Sequence, residues 1–226
     1  MSQEENIFVA KRNIVDYIWK SANLEGISVT YPDTDAIYNG LSIQGYQVKD
    51  IVTINNLKRA WEFILDNLQA DTDLDFICYI NRIVGGDNLI YKSGELRSLE
   101  VRIGGTTWQP PIPERQIVQS NIHHIFDMDK RSITEQSIHL MLYLMRSQLF
   151  MDGNNRTAML AANHLMIKKG KGIISIPQKN QPKFLELLID FYESNINTTI
   201  KKYIHETSID GIDFNRTKTK SHEPER

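Results

Sequence analysis

Residues 148–156 read Gln-Leu-Phe-Met-Asp-Gly-Asn-Asn-Arg, bringing an amide, a carboxylate, a glycine and a guanidinium into one short segment. If Asp152, Gly153, Asn154, Asn155 and Arg156 open a helix, unpaired backbone N–H groups and the helix dipole favour an anion there. Gly153 lets the backbone curl closely around a phosphate, and Arg156 offers a planar fork of donors. Asp152 is a hard oxygen ligand suited to Mg²⁺ on a di- or triphosphate. Phe150 is expected to pin the loop to the core. The same residue types also suit an ordinary interhelical turn, with Arg156 paired to a surface carboxylate.

Positioning such a loop requires two packed helices, and the flanking apolar spacing supplies them. Ile138, Leu142, Met145 and Leu149 form one stripe before the loop, and Leu160, His164 and Ile167 form one after it. Helical spacing also runs over residues 6–21, 48–68, 75–84, 113–126, 133–149, 156–168 and 182–194. A short helix is expected after Tyr31 and Pro32, ending near Gly40, and Gly26 is expected to stop the first helix. Residues 96–111 differ: Leu99, Val101 and Ile103 alternate with Glu100 and Arg102 before Gly104 and Gly105, predicting a hairpin. The class expected is all-α, mainly helical, with one small β-hairpin.

The 226 residues fit one domain with an ordinary core. Hydrophobic residues at 41% and charged residues at 24% favour neither disorder nor a fibre. A net charge of −2 gives no field for holding nucleic acid by counterion release. The basic stretch 216–220 reads as a frayed tail. One cysteine, Cys78, set among apolar neighbours, predicts a buried inert thiol and a reducing compartment. No apolar run reaches membrane-spanning length and no leader pattern opens the chain, so the expectation is a cytoplasmic protein without a membrane partner. His123, His124 and Asp127 match no standard metal spacing, and His164 falls on an apolar stripe where a hydrogen-bonded core imidazole is expected.

The segment 148–159 resembles the motif of the Fic (Fido) domain family, H-x-F-x-[DE]-G-N-G-R-x-x-R, with Phe150, Asp152, Gly153, Asn154 and Arg156 at matching positions. Residues 96–111 are similar to the family's hairpin flap, which holds a target segment beside the nucleotide, with Ile103, Gly104, Gly105 and Thr106 at its turn. Ser21, Glu25 and Gly26 fit the family's inhibitory pattern [ST]-x-x-x-E-[GN] on an N-terminal helix. The resemblance spans roughly residues 6–205. It implies the Fic fold and transfer of AMP from ATP to a hydroxyl of a target protein. It implies Asp152 as the Mg²⁺ ligand and Gly153, Asn154, Asn155 and Arg156 as the nucleotide-binding residues. Tyr192 and its neighbours are candidates to flank the adenine.

Three positions depart from the family pattern. Gln148 stands where the catalytic His is expected, and an amide cannot accept a hydroxyl proton near neutral pH, which removes roughly 10²- to 10⁴-fold of general-base help. Asn155 is neither the usual Gly nor the Lys of the family's Doc branch, which phosphorylates. Met159 replaces the second Arg, so the γ-phosphate loses its cation and Glu25 loses the partner it has in the family.

The expected organisation is an N-terminal helical segment with the inhibitory-like motif over 1–40, a Fic-like core over 41–207 and a tail over 208–226. The expected ligands are ATP and Mg²⁺. The expected partners are a nucleotide, an unidentified target protein and, as an open alternative, a second copy of the chain in a homodimer. The leading function is protein adenylyl transfer weakened at Gln148. The alternatives are a catalytically inactive nucleotide-binding or protein-interaction module and a Doc-like phosphotransferase.

Overall fold

The computed structural model describes residues 1–127 and 131–211, so most of the 208–226 tail, including 216–220, lies outside the described residues. Two helices open the chain, α1 (Gln3–Arg12) and α2 (Ile14–Leu24). The sequence pattern reads as one helix there, but the backbone breaks at Asn13 (φ −110°, ψ 13°). The Ser2 hydroxyl accepts from the Glu5 N–H while the Glu5 carboxylate accepts from the Ser2 N–H, a reciprocal cap at the start of α1.

α3 (Tyr31–Tyr38), α4 (Val48–Asp66) and α5 (Leu74–Val84) follow, then α6 (Arg115–Phe126), α7 (Ile133–Ser147), α8 (Asn154–Lys168), α9 (Gln181–Ser194) and α10 (Thr198–Thr207). The expected helices all form, whereas α10 was not anticipated from the apolar spacing. α8 is the hub, packed by α1, α4, α5 and α7. Every residue from Arg156 to Ile167 is buried, so α8 has no solvent face and its polar members must find partners inside. Asn163 does so by bonding both the N–H and the carbonyl of Ile174 (2.7 and 2.9 Å).

Ile174 belongs to a two-stranded antiparallel sheet, β1 (Ile173–Ile174) with β2 (Ile209–Asp210), in the register Ile173 to Asp210 and Ile174 to Ile209. The N-terminal helices dock on it. Asn6 bonds the Gly172 backbone at 2.6 and 3.2 Å, and the Tyr17 hydroxyl donates to Asp210 at 2.6 Å. α2 is thereby tied to the far end of the chain and held over the first turn of α8.

The fold is mainly helical as expected, but residues 96–111 carry no strand ladder. The chain turns at Gly104 and Gly105 as predicted, while its hydrogen-bonding groups go elsewhere. Pro110 and Pro111 have no N–H to give. Their carbonyls are taken by Arg97 Nη2 at 3.0 and 2.6 Å, and the Leu99 carbonyl by Arg97 Nη1 at 2.7 Å. The flap is a side-chain-braced loop rather than a β-hairpin.

Candidate functional site

α7 ends at Gln148, whose backbone is left-handed (φ 45°, ψ 61°). That conformation is uncommon for any residue with a Cβ, and its neighbours hold it: the Gln148 carbonyl accepts from Arg97 Nε at 2.6 Å, and the Arg97 N–H donates to the Leu149 carbonyl at 2.9 Å. Phe150, 2% exposed, then anchors the loop in the core, a burial that stabilises it by roughly 1.5–3 kcal/mol. The loop is closed by Asn154, whose Oδ1 accepts from the Phe150 N–H (2.9 Å) and whose Nδ2 donates to the Phe150 carbonyl (2.9 Å).

The Asn154 side chain is therefore engaged within the protein, and only its backbone N–H remains to meet a ligand. Its Nδ2 also donates to Gln148 Oε1 at 3.0 Å, while Gln148 Nε2 donates to the Met145 carbonyl at 2.6 Å. The amide that replaces the family imidazole is thus bound at both ends.

Gly153 opens α8 in the left-handed region (φ 73°). A Cβ there would lie 3.0 Å from both Ile90 Cδ1 and Val84 Cγ1, so conformation and space both require glycine. No side chain caps α8, which leaves its first N–H groups without a side-chain acceptor.

Arg156, in that first turn, is 6% exposed. Its Nε donates to Glu25 Oε2 at 2.9 Å, Nη2 lies 3.6 Å from Asp152 Oδ1, and Nη1 is buried with no partner among the described residues. Asn155 Oδ1 is likewise buried and unpartnered. A buried guanidinium with a free donor beside an uncapped helix start is electrostatically prepared for an anion.

Glu25 reaches Arg156 because of how α2 ends. Gly26 (φ 81°) donates to the Asn23 carbonyl at 3.0 Å and Ile27 donates to the Ala22 carbonyl at 3.1 Å, the paired bonds of a glycine helix stop that leave Glu25 as the last half-helical residue. Sequence comparison with the family leaves Glu25 without its arginine at position 159. The structure instead pairs it with Arg156, while Met159 is buried at 7% exposure. Burial pushes the Glu25 carboxyl above its usual range. The Arg156 charge opposes that shift, and Asp152 adds to it.

Glu25, Gln148, Asp152, Asn154 and Asn155 line one cleft of about 510 Å³, together with Leu24, Val101, Arg102 and Met151. The expected flap tip does not line it. Gly105 sits against α9, where an added Cβ would be 3.5 Å from Ile189 Cδ1. Thr106 and Thr107 donate to the Glu193 carboxylate through Thr106 Oγ1 (2.5 Å), the Thr107 N–H (2.5 Å) and Thr107 Oγ1 (2.7 Å). These bonds lower the Glu193 pKa to about 2. Ile103 is half-buried against the core and Gly104 is exposed. Ser21 is buried in α2 and Gly26 is exposed just past its end.

Asn81 escaped the sequence reading. It is fully buried on α5, donates to the Asp152 carbonyl and to Thr157 Oγ1 (both 3.1 Å), and accepts from the Gly94 N–H at 2.8 Å. The available signal was an amide on the Ile77–Val84 stripe, where apolar residues otherwise recur. His164 is the core imidazole expected, its ring nitrogens placed against Thr72 Oγ1 (2.8 Å) and the Asn67 carbonyl (3.1 Å). Burial raises the Cys78 thiol to about 11. Tyr192 is buried at 2% exposure, and its phenol is pushed upward by burial and by the Glu25 charge. Among the described residues no group of three or more His, Cys, Asp or Glu is placed to hold a metal, and no helix is long and apolar enough to cross a membrane.

Residues 71–166 match the family model for the Fic/DOC family. The chain is 24% identical over 202 residues to protein adenylyltransferase Fic of Drosophila virilis, covering 84% of this chain and 40% of that protein. It is also 24% identical over 222 residues to protein adenylyltransferase fic-1 of Caenorhabditis elegans, covering 87% of this chain and 42% of that protein. It thus spans only about two fifths of the length of these curated relatives. Among solved structures, a Fic-domain-containing signalling protein of Bacteroides thetaiotaomicron superposes with a TM-score of 0.70 at 23% identity, covering 83% of this chain and 75% of that one. Fic-1 of C. elegans gives a TM-score of 0.70 at 18% identity, covering 89% of this chain and 61% of that one. Loop, helices and these likenesses agree, and the chain is a Fic (Fido) domain protein.

Proposed function

We propose that the cleft binds the phosphates of a nucleotide, with ATP as the expected substrate, and transfers AMP slowly to a hydroxyl of a target protein. The observation that carries this reading is Arg156, buried, with Nη1 unpartnered at the uncapped start of α8. A phosphate oxygen would satisfy that donor together with the N–H groups of the first helical turn. The names of the relatives, protein adenylyltransferases, support the same chemistry.

Asp152 is the residue that would hold Mg²⁺. Its side chain is 66% exposed at the cleft mouth, and a single carboxylate plus phosphate oxygens is a usual way of holding this ion. When bound, Mg²⁺ would neutralise phosphate charge. Arg156 and the α8 N–H groups would fix the α-phosphate for attack by the hydroxyl oxygen, breaking the bond to the β-phosphate and releasing pyrophosphate with the electron pair. Gln148 Oε1 keeps a lone pair to orient the hydroxyl but takes no proton, which passes to solvent. Glu25 occupies Arg156 and must yield before a phosphate gains that full fork, so Glu25 is read as inhibitory through Arg156.

A second reading, nucleotide binding without transfer, is favoured by the Gln148 amide being bound at both ends. Incubation of the full chain with lysate, Mg²⁺ and α- or γ-labelled ATP separates the readings. Protein-bound α-label lost in Asp152→Ala supports adenylyl transfer, and γ-label alone means phosphate transfer. Binding that is lost in Arg156→Ala, with no label transferred, selects the second reading. Absence of any nucleotide binding overturns both.

A further inference from the structure

We propose that Arg102, carried by the flap, is the second phosphate-gripping cation of this site and sets its preference for a nucleoside carrying more than one phosphate. The inference rests on the phosphate-binding reading above. α8 contributes a single guanidinium to the cleft region, Arg156. One turn later the same helix offers Met159, buried and uncharged, so a phosphate chain extending beyond Arg156 meets no cation on α8.

The flap supplies one. Arg102 lines the cleft shared by Glu25, Gln148, Asp152 and Asn155. It is exposed and makes no hydrogen bond or ion pair with any described residue, although two carboxylates line the same cleft. Most other arginines are engaged within the protein, Arg97 by four carbonyls and Arg146 by the Tyr192 carbonyl at 3.1 Å and the Trp108 ring at 3.6 Å. Arg102 is a charge the fold itself does not use.

The flap that carries it is tied down on both sides of Arg102. On one side Arg97 ties the flap to the phosphate loop through the Gln148 carbonyl at 2.6 Å. On the other side Thr106 and Thr107 are clamped by Glu193 on α9. Arg102 lies between these anchors, which keep the flap beside the cleft while its long, exposed side chain can reach a ligand. A cleft of about 510 Å³ is in the size range of small-molecule sites. In it the first α8 turn would take the phosphate nearest the nucleoside and Arg102 the terminal one.

Calorimetry of the full chain with Mg²⁺ and AMP, ADP or ATP tests this, run in parallel on the Glu25→Gln variant so that the Arg156 contact does not mask binding. The expected result is tighter binding of ATP than AMP, with the ATP-to-AMP affinity ratio falling about 10- to 100-fold in Arg102→Ala. Arg102→Lys should give an intermediate ratio, and the melting temperature should not change, because the side chain is exposed. A ratio unchanged in Arg102→Ala, with binding still abolished in Arg156→Ala, overturns this inference and leaves the phosphate site standing. Failure of every nucleotide to bind either background overturns the phosphate site and Arg102's role together.

Discussion

Glu25 Oε2 accepts from Arg156 Nε at 2.9 Å, although the two residues stand 131 positions apart. The contact joins the end of α2 to the first turn of α8 and sets against that arginine a carboxylate that burial makes reluctant to ionise. The inhibitory-like segment and the 148–156 loop thus meet at one guanidinium.

Replacing Glu25 with Gln should release that guanidinium. Loss of a hydrogen bond to a charged group corresponds to about 1.5–3 kcal/mol, so Mg²⁺-ATP affinity should rise by about 10- to 100-fold. The same substitution has a pH signature. The folded-state Glu25 pKa lies above its unfolded value of about 4.5, so its contribution to stability is complete below that value and is lost as pH rises through the folded one. Melting curves of wild type and Glu25→Gln should therefore converge, then cross in favour of Gln, as pH increases. A wild-type advantage that grows as pH rises contradicts the assignment.

Gln148→His should raise transfer by about 10²- to 10⁴-fold, by supplying a proton acceptor at the loop entrance. Histidine tolerates a left-handed backbone comparatively well, so stability should change little. Rates with α-labelled ATP decide it. A variant that binds nucleotide as before but gains no rate points to the transfer-free reading.

Asn154→Ala removes both bonds to Phe150 and the bond to Gln148. At about 0.5–1.5 kcal/mol for each of the three bonds, the expected loss is roughly 1.5–4.5 kcal/mol. Denaturant unfolding measures it. Asn154→Asp keeps the acceptor for the Phe150 N–H and should recover part of the loss.

Acid should destabilise the protein through two imidazoles, His164 buried and His139 half-buried. Burial lowers the His139 pKa from 6.5 to about 4, with the Arg131 charge adding to it, and burial also lowers that of His164. Both groups bind protons more readily in the unfolded chain. Their contribution is therefore complete above about pH 6.5 and falls away as pH drops toward the folded values. His139→Gln should flatten the melting-temperature profile between pH 6.5 and 4; an unchanged slope would show that His139 takes no part in it.

The sequence by itself determined the helical class, most helix positions, the stop at Gly26, the burial of Phe150 and the identity of the loop, because apolar periodicity, caps and turn residues are local properties of the chain. It also determined that Gln148 is no base and Met159 no cation, since those are facts of side-chain chemistry. The flap was misread as a ladder because alternation reports which faces are apolar, not where backbone N–H and carbonyl groups find partners. Arg97, within the flap, and Glu193, from α9, took those groups instead. Only the tertiary structure decided that Glu25 meets Arg156, that Asn154 bonds the loop instead of facing solvent, that Asn81 carries the Asp152 carbonyl, and that Arg102 lines the same cleft with no partner among the described residues. The Asn154 bonds close a local loop; the others depend on segments distant in sequence, and the direction of a side chain across such packing is set by the fold around it, not by its neighbours in the chain.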